Sequence, residues 1–162
     1  MNSIQMRTIM DIMKVSPGVL RFILNTYPPY LFTGIHVDAI GHDWKRVDVR
    51  MKLRWYNRNA VGTHFGGSLY SMVDPHLMLM LMRLLGEDYI VWDKSAGIEF
   101  VRPGKTTVYA GLRITDADLE QIRGRLRTEK RVLPDFEVRI VDTAGEVVAK
   151  VFKKLYIRRK RR

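Results

Sequence analysis

The sequence predicts an α+β domain in which a curved antiparallel sheet of about six strands wraps around one long apolar helix. Residues 68–85 are almost entirely apolar, and a helix that is apolar on every side has to be buried on every side. Several short stretches around this segment alternate between apolar and polar residues, which is the pattern of strands with one buried face. With 162 residues, 46% of them hydrophobic, the chain is long enough to form one domain with its own core.

Residues 1–34 are predicted to form an N-terminal helical extension. Four apolar residues between positions 6 and 13 recur at the spacing of one helix face. Ser16 followed by Pro17 is typical of the start of a second helix, with the serine as its N-cap, and the two prolines at 28 and 29 are expected to end it. The pattern indicates two packed helices and assigns them no chemistry.

The remaining elements follow from alternation and turn residues. Residues 35–40 and 47–55 alternate on either side of a turn at 41–43, which predicts a β-hairpin. After the apolar helix, further strands are predicted at 89–92, 96–101, 108–114, 136–141 and 147–157, with a last hairpin turn at 143–145. Between them, residues 115–126 are typical of a helix, because Thr115 and Asp118 have the spacing of a capping box. The domain is therefore placed at residues 35–157.

The net charge of +11 comes mostly from the C-terminal end. Of 28 Lys and Arg residues, eight lie in residues 150–162, which contain no acid, so the rest of the chain has 20 basic and 17 acidic residues. This distribution argues against a protein dedicated to specific nucleic-acid binding. The basic tail at 158–162 has three interpretations: a solvated strand end, a site of attraction for coenzyme A phosphates or an acidic carrier protein, and non-specific contact with nucleic acid or anionic membrane.

Several classes of protein are excluded by what the sequence lacks. It has no cysteine, so disulfides, Cys-ligated metals and a thiol nucleophile are excluded, and it has no G-x-S-x-G serine-hydrolase motif. Its four histidines have no metal-ligand spacing, so no metal site is expected. The most apolar run, residues 77–85, is too short for a membrane span, and no targeting segment is recognisable, so the expected location is the cytoplasm.

The stretch most suggestive of chemistry surrounds the start of the apolar helix. Gly66 and Gly67 stand where unpaired backbone amides and the helix dipole can stabilise an oxyanion. Seven residues after Gly67, Asp74 interrupts the apolar run, and a carboxylate in such surroundings suits a general base or nucleophile. An alternative interpretation is structural: Asp74 caps a helix that restarts at Pro75, which should bend or interrupt the segment.

Residues 57–75, NRNAVGTHFGGSLYSMVDP, resemble the corresponding segment of hotdog-fold acyl-CoA thioesterases of the phenylacetyl-CoA thioesterase type. In that family a hairpin precedes an Asn, a His-Gly-Gly and, about six residues later, an Asp on the central helix. The resemblance extends from about residue 35 to 157 and includes a branch known only as a domain of unknown function. It implies hydrolysis of thioesters of coenzyme A or acyl carrier protein, with no cofactor beyond the coenzyme A that the substrate carries.

The resemblance also implies roles for individual residues. Gly67 would donate its N–H to the thioester carbonyl, and Asp74 would activate water or attack the carbonyl. Asn59 would orient the water or the substrate, with Asn57 as the alternative.

Two departures from the family pattern concern the same loop. His64, Phe65 and Gly66 are expected to contact the substrate, but Phe65 interrupts the His-Gly-Gly, and Pro75 replaces the small residue after the acid. These departures motivate a second hypothesis, a hotdog protein that binds acyl-CoA or fatty acyl groups without turnover.

The spacing of donor and acid predicts a dimer. Seven helical residues span about 10 Å, whereas Gly67 and Asp74 would both have to lie about 3 Å from the reacting group. A composite site, with Gly67 from one protomer and Asp74 from the other, removes this conflict, and the resembled family builds its sites in homodimers. A homodimer or a dimer of dimers is therefore expected.

Overall fold

The computed structural model describes residues 14–160, which form five helices and six strands. The helices are α1 (Pro17–Thr26), α2 (Pro28–Leu31), α3 (Gly66–Ser71), α4 (His76–Leu85) and α5 (Asp116–Thr128). The strands are β1 (Ile35–Ile40), β2 (Arg46–Met51), β3 (Tyr89–Phe100), β4 (Val108–Arg113), β5 (Asp135–Asp142) and β6 (Val147–Arg159). A short 3₁₀ turn, Trp55–Asn57, follows β2.

All six strands form one antiparallel sheet in the order β1-β2-β4-β5-β6-β3. Alternate residues of each strand face the core, as β4 shows with its regular succession of buried and exposed positions. The helix packed into this core is α4, whose Leu77, Met80 and Leu81 are buried. The predicted fold class, an antiparallel sheet around an apolar helix, is confirmed.

The long apolar helix is in fact two helices separated by a turn. Helix α3 ends at Ser71 and α4 begins at His76. Pro75 has no N–H to continue the α-helical hydrogen bonds, which explains the break that its position predicted. The capping interpretation of Asp74 is wrong: Pro75 is the N-cap position of α4, and no side chain caps this helix.

Two strand predictions are also corrected. The stretches at 89–92 and 96–101 form the single strand β3, which continues through an irregularity between Asp93 and Ser95. The second hairpin strand ends at Met51 rather than at Trp55, because the chain turns away from the sheet into the 3₁₀ segment. At the other end of the chain β6 continues to Arg159, so the first residues of the basic tail are part of the sheet.

The N-terminal helices pack against the domain. Ser16 is the N-cap of α1, as predicted, and its Oγ accepts a hydrogen bond from the Val19 amide. Pro28 begins α2 after α1 has ended at Thr26. Buried side chains from both helices join the main core, namely those of Leu20, Leu24 and Tyr30. The helix predicted for residues 6–13 lies outside the described residues, and the division of the chain at positions 34 and 157 stays a prediction.

The predicted capping box stabilises the start of α5. The Thr115 hydroxyl accepts from the Asp118 amide, and the Asp118 carboxylate accepts from the Thr115 amide. We expect Thr115→Ala to lower the free energy of unfolding by about 1 kcal/mol, since it removes one of these bonds. Urea unfolding measures the change, with Thr107→Ala as the control. An unchanged unfolding midpoint in Thr115→Ala would contradict the expectation.

Candidate active site

The loop before α3 is held together by two asparagines. The buried Asn57 donates from Nδ2 to the carbonyls of Thr33 and Lys52, and its Oδ1 accepts from the Arg54 amide. It thereby joins the end of the N-terminal extension to the segment after β2. The hydrogen bonds give Asn57 a role in fixing the path of the chain into the loop.

The Asn59 side chain forms hydrogen bonds within the turn that follows it. Its Nδ2 lies 2.9 Å from Thr63 Oγ1, and its Oδ1 accepts from the amides of Val61 and Thr63. A further, longer bond of 3.3 Å runs from Nδ2 to the carbonyl of His64. Both polar atoms of Asn59 are therefore engaged within the loop, and its predicted part in orienting water or substrate remains a prediction.

A cleft of about 440 Å³ lies beside the start of α3. It is lined on one side by the loop and α3 and on the other by the segment after β3, with contributions from Asn59, Thr63, His64, Gly66, Leu69, Phe100, Val101, Arg102, Pro103 and Gly104. Both apolar and polar side chains line it, so it can hold a ligand that carries both kinds of surface.

His64 forms part of the cleft wall and is only 3% exposed. Its Nε2 lies 2.8 Å from the Thr106 carbonyl, which can only accept, so Nε2 carries the proton of the neutral ring. Burial lowers the pKa of His64, although the bond to Thr106 opposes this. Nδ1 is buried without a hydrogen-bond partner among residues 14–160. The imidazole is thus a neutral acceptor beside the cleft.

The two glycines at the start of α3 lie beneath aromatic rings. A Cβ atom on Gly66 would meet Phe100 Cζ at 2.8 Å, and one on Gly67 would meet Phe65 Cε1 at 2.6 Å. Neither glycine amide has an acceptor among the described residues. Of the two, Gly66 lines the cleft. The absence of side chains therefore lets the Phe65 and Phe100 rings lie close to the backbone, while both amide donors stay unpaired among the described residues.

Asp74 lies beyond the other end of α3. Its Oδ1 is 2.5 Å from Lys153 Nζ and 3.3 Å from the Tyr70 hydroxyl, which donates to it. No N–H or O–H group among the described residues donates to Oδ2, the Asp93 carboxyl lies within hydrogen-bonding reach of the Asp74 side chain, and this side chain is 38% exposed. One oxygen of the carboxylate is therefore fixed by Lys153, and the side chain remains partly accessible to a ligand.

Lys153 is the buried cation of this cluster, with a side chain only 1% exposed. Besides Asp74 it contacts Asp93, whose Oδ1 lies 3.0 Å from Nζ in an ion pair without hydrogen-bond geometry. Burial alone would lower the pKa of Lys153, but its bonds to Asp74 and Asp93 outweigh burial and raise it. Burial raises the pKa of Asp93, a shift that Lys153 opposes and the neighbouring Asp74 reinforces. Lys153 is therefore held in its charged form.

The irregularity in β3 brings Asp93 to this position. Asp93 is paired with Leu155, but after one unpaired residue Ser95 is paired with Lys154 and Ala96 with Lys153. Directly paired residues share a face of the sheet, so Asp93 lies on the core side next to Leu155. Leu155 is two residues from Lys153 along β6, and the two therefore lie on the same face. A bulge of this kind re-aims side chains locally.

The N-terminal extension reaches the same site through Tyr30. Its hydroxyl donates to the Asp74 carbonyl and lies 2.9 Å from His76 Nε2, which donates to the phenol oxygen. Burial raises the pKa of Tyr30, an effect to which Asp74 adds. His76 is fully buried, and this lowers its pKa to about 4. Asp74 is thus held at its carboxylate by β6 and at its backbone by α2.

The structure places the predicted site residues at two separate locations. Gly66, His64 and Asn59 line the cleft, and Gly67 and Phe65 adjoin Gly66, whereas Asp74 does not line the cleft of its own protomer. The sequence interpretation missed Lys153 and the partners that it gathers around Asp74. A signal existed, since Lys153 lies in phase with the apolar residues of β6 and alternation places it on the core face.

No group of three or more His, Asp or Glu side chains within residues 14–160 is arranged to hold a metal ion. No helix in the same part of the chain has the length and apolar character needed to cross a bilayer.

A known protein family matches most of this chain. The model of the family called "Domain of unknown function (DUF4442)" matches residues 18–157, which is most of the sequence. The chain belongs to the DUF4442 family. The match includes most of α1 and all of α2, so these helices lie within the matched region. No curated protein matches the sequence significantly.

Solved structures similar to this DUF4442 protein share its fold. A protein of unknown function from Pseudomonas aeruginosa, described as a probable thioesterase, has a TM-score of 0.75 and 18% identity over 88% of this chain and 95% of its own. A protein of unknown function from Chlorobaculum tepidum has a TM-score of 0.69 and 14% identity over 90% and 98%. A thioesterase from Haemophilus influenzae has a TM-score of 0.65 and 13% identity over 90% and 92%. The hotdog fold is thereby confirmed.

Proposed function

We propose that the protein hydrolyses acyl thioesters of coenzyme A or acyl carrier protein at a site shared by two protomers. The observation that carries the proposal is the state of Asp74, whose Oδ1 is held by Lys153 while the side chain stays 38% exposed. Unpaired amides at a glycine pair and a cleft of ligand size supply the other parts of such a site. The fold is shared with proteins described as thioesterases.

The reaction needs a group that activates water and a group that stabilises negative charge. Oδ2 of Asp74 takes a proton from water as the water oxygen attacks the thioester carbon. The amides of Gly67 and Gly66 stabilise the oxyanion that forms. The carbon–sulfur bond then breaks, and the proton passes from Asp74 to the departing thiolate, so that a carboxylic acid and a thiol are released. Direct attack by Oδ2 on the carbonyl is the alternative first step.

The separation of Asp74 from its own cleft supports a shared site. Gly66 begins α3 and Asp74 lies three residues beyond its end, and a helix of that length extends about 9 Å. Strand β3 is the last in the sheet order, and its outer edge has no partner strand among residues 14–160. Antiparallel pairing of two such edges about a two-fold axis would bring each Asp74 towards the partner's glycines.

The test is thiol release from short, medium, long and aromatic acyl-CoAs, measured for the wild type and Asp74→Asn. We expect the wild type to turn over part of this panel and Asp74→Asn to lose at least about 100-fold in kcat, because general base catalysis is removed. Asp135→Asn is the matched control, since it removes an exposed carboxylate that is also paired with a lysine. Equal turnover by the wild type and Asp74→Asn would refute the assigned role.

A second candidate function is binding of acyl-CoA or fatty acyl groups without turnover. It is favoured by Phe65, which interrupts the His-Gly-Gly and whose ring lies against Gly67. Saturable acyl-CoA binding by the wild type, without thiol release from any of the four acyl classes, would select it.

A further inference from the structure

We propose that Lys153 is a positioning residue of this site, which fixes Oδ1 of Asp74 so that Oδ2 faces the substrate, with Asp93 as the second carboxylate that holds the ammonium in place. The inference rests on the proposed thioester hydrolysis. Lys153 and Asp93 are thereby added to the proposed site, although both lie far from the glycine loop in the sequence and outside its motif.

The first support is the set of oxygen atoms that surrounds the buried ammonium group. Its Nζ donates hydrogen bonds to Asp74 Oδ1 at 2.5 Å and to the Tyr70 hydroxyl at 3.3 Å, and it forms an ion pair with Asp93 Oδ1 at 3.0 Å. Lysine is almost never fully buried unless it is paired. The elements that supply these partners are separate, since Asp93 belongs to β3 and Tyr70 to α3. The cluster is therefore built from three parts of the fold.

The second support is the distribution of charge. Two carboxylates face one ammonium, and burial raises the pKa of Asp93, a shift that Lys153 opposes. The carboxylate hydrogen bond of Lys153 goes to Asp74, so Asp74 is the carboxylate that the ammonium orients. The other polar groups around Asp74 include Asp93 and Tyr70 at its side chain and the Tyr30 hydroxyl at its carbonyl, so no second cation contacts the carboxylate within the described contacts.

The third support is that packing of the core does not require a charged side chain at residue 153. The neighbours of Lys153 on the core face of β6 are Val151 and Leu155, both fully buried. A buried ion pair is often no more stabilising than a well-packed apolar residue in its place. A lysine here is therefore better explained by what it does to Asp74 than by its contribution to the core.

The experiment compares the thioester hydrolysis of Lys153→Met and Lys153→Arg with that of the wild type. In Lys153→Met we expect kcat to fall about 100-fold, as for a misplaced reacting group, while KM changes by less than about threefold. Lys153→Arg should recover part of the loss, since it restores the cation. Lys154→Met is the matched control, because this adjacent lysine is exposed and pairs with Asp135.

The pH profile separates positioning from a purely structural role. Without the cation, Asp74 and Asp93 repel each other, and the site takes up a proton at higher pH. The acid limb of the kcat/KM profile should therefore move upward by about one pH unit or more in Lys153→Met. A fall in kcat without movement of this limb would overturn the inference, as would full activity of Lys153→Met.

Two further measurements cover the cases in which folding or activity fails. If Lys153→Met does not fold, combining it with Asp93→Asn removes one charge of each sign and provides the variant for the same assays. A double-mutant cycle on urea unfolding, with Lys153→Met and Asp74→Asn, tests the contact without any assay of activity. Additive effects in the cycle would overturn the inference. The remaining outcome is a wild type that hydrolyses no thioester although the cycle shows coupling between Lys153 and Asp74. This result would confirm the ion pair but would overturn both the proposed function and the positioning role of Lys153.

Discussion

Equal amounts of Asp74→Asn and Gly66→Val protomers, refolded together, are expected to recover about a quarter of the wild-type turnover, although each variant alone is inactive. In a two-fold symmetric dimer with shared sites, each heterodimer has one site that contains both substitutions and one that contains neither. Random mixing makes half of the dimers heterodimers, and half of their sites are intact. The valine acts by filling the cleft, since even a Cβ on Gly66 would lie 2.8 Å from Phe100.

The control for this experiment is a mixture of Asp74→Asn with Lys153→Met. Both substitutions damage the same half of the site, so every site in the heterodimer keeps one defect and the mixture should stay inactive. Thiol release measures both mixtures at equal total protein. Recovery in neither mixture, with dimers verified by light scattering, would show that each protomer contains a complete site and would remove the shared-site proposal.

Acidification from pH 7 to pH 4 is expected to lower the stability of the protein through His76. Burial lowers the pKa of this histidine to about 4 in the folded chain, whereas the unfolded chain has the ordinary value of 6.5. The unfolded state therefore binds more protons between these values. The contribution of His76 to stability is fully present above pH 6.5 and is lost as the pH falls towards 4, by about 3 kcal/mol in all.

A substitution isolates this effect from that of the other titrating groups. In His76→Gln the side-chain amide can still donate to Tyr30 but does not titrate, so its unfolding free energy should vary less with pH than that of the wild type. Urea unfolding at pH 7, 6, 5 and 4 gives the two curves. Parallel curves would show that His76 is not the group whose protonation opposes folding.

Local rules were enough to predict most of the elements. The N-cap at Ser16 and the capping box at Thr115 are short-range hydrogen bonds whose residues are adjacent in the sequence, and both are confirmed. Strand alternation was clearest in β2 and β4, where every second residue is buried. Proline at 75 correctly indicated an interruption of the apolar segment, but not that Asp74 would bond to another strand instead of capping the next helix.

The candidate site was predictable only where it is contiguous in the sequence. Gly66, Gly67 and Asp74 stand within nine residues of one another and were found as a motif. Lys153 is 79 residues from Asp74, and it was counted with the basic C-terminal residues because nothing local relates it to the acid. The bulge that turns Asp93 towards it depends on the register between β3 and β6, which a single sequence does not reveal.

The position of β3 has a consequence for the order in which the protein folds. In the described sheet β3 pairs only with β6, whose residues come about sixty positions later, so it cannot join the sheet until the last strand has formed. Contacts between residues so far apart in the chain form slowly. Until then Asp74 and Asp93 lack their common cation. We therefore expect the charged cluster to be assembled late, after the β1–β2 hairpin and the helices have already formed.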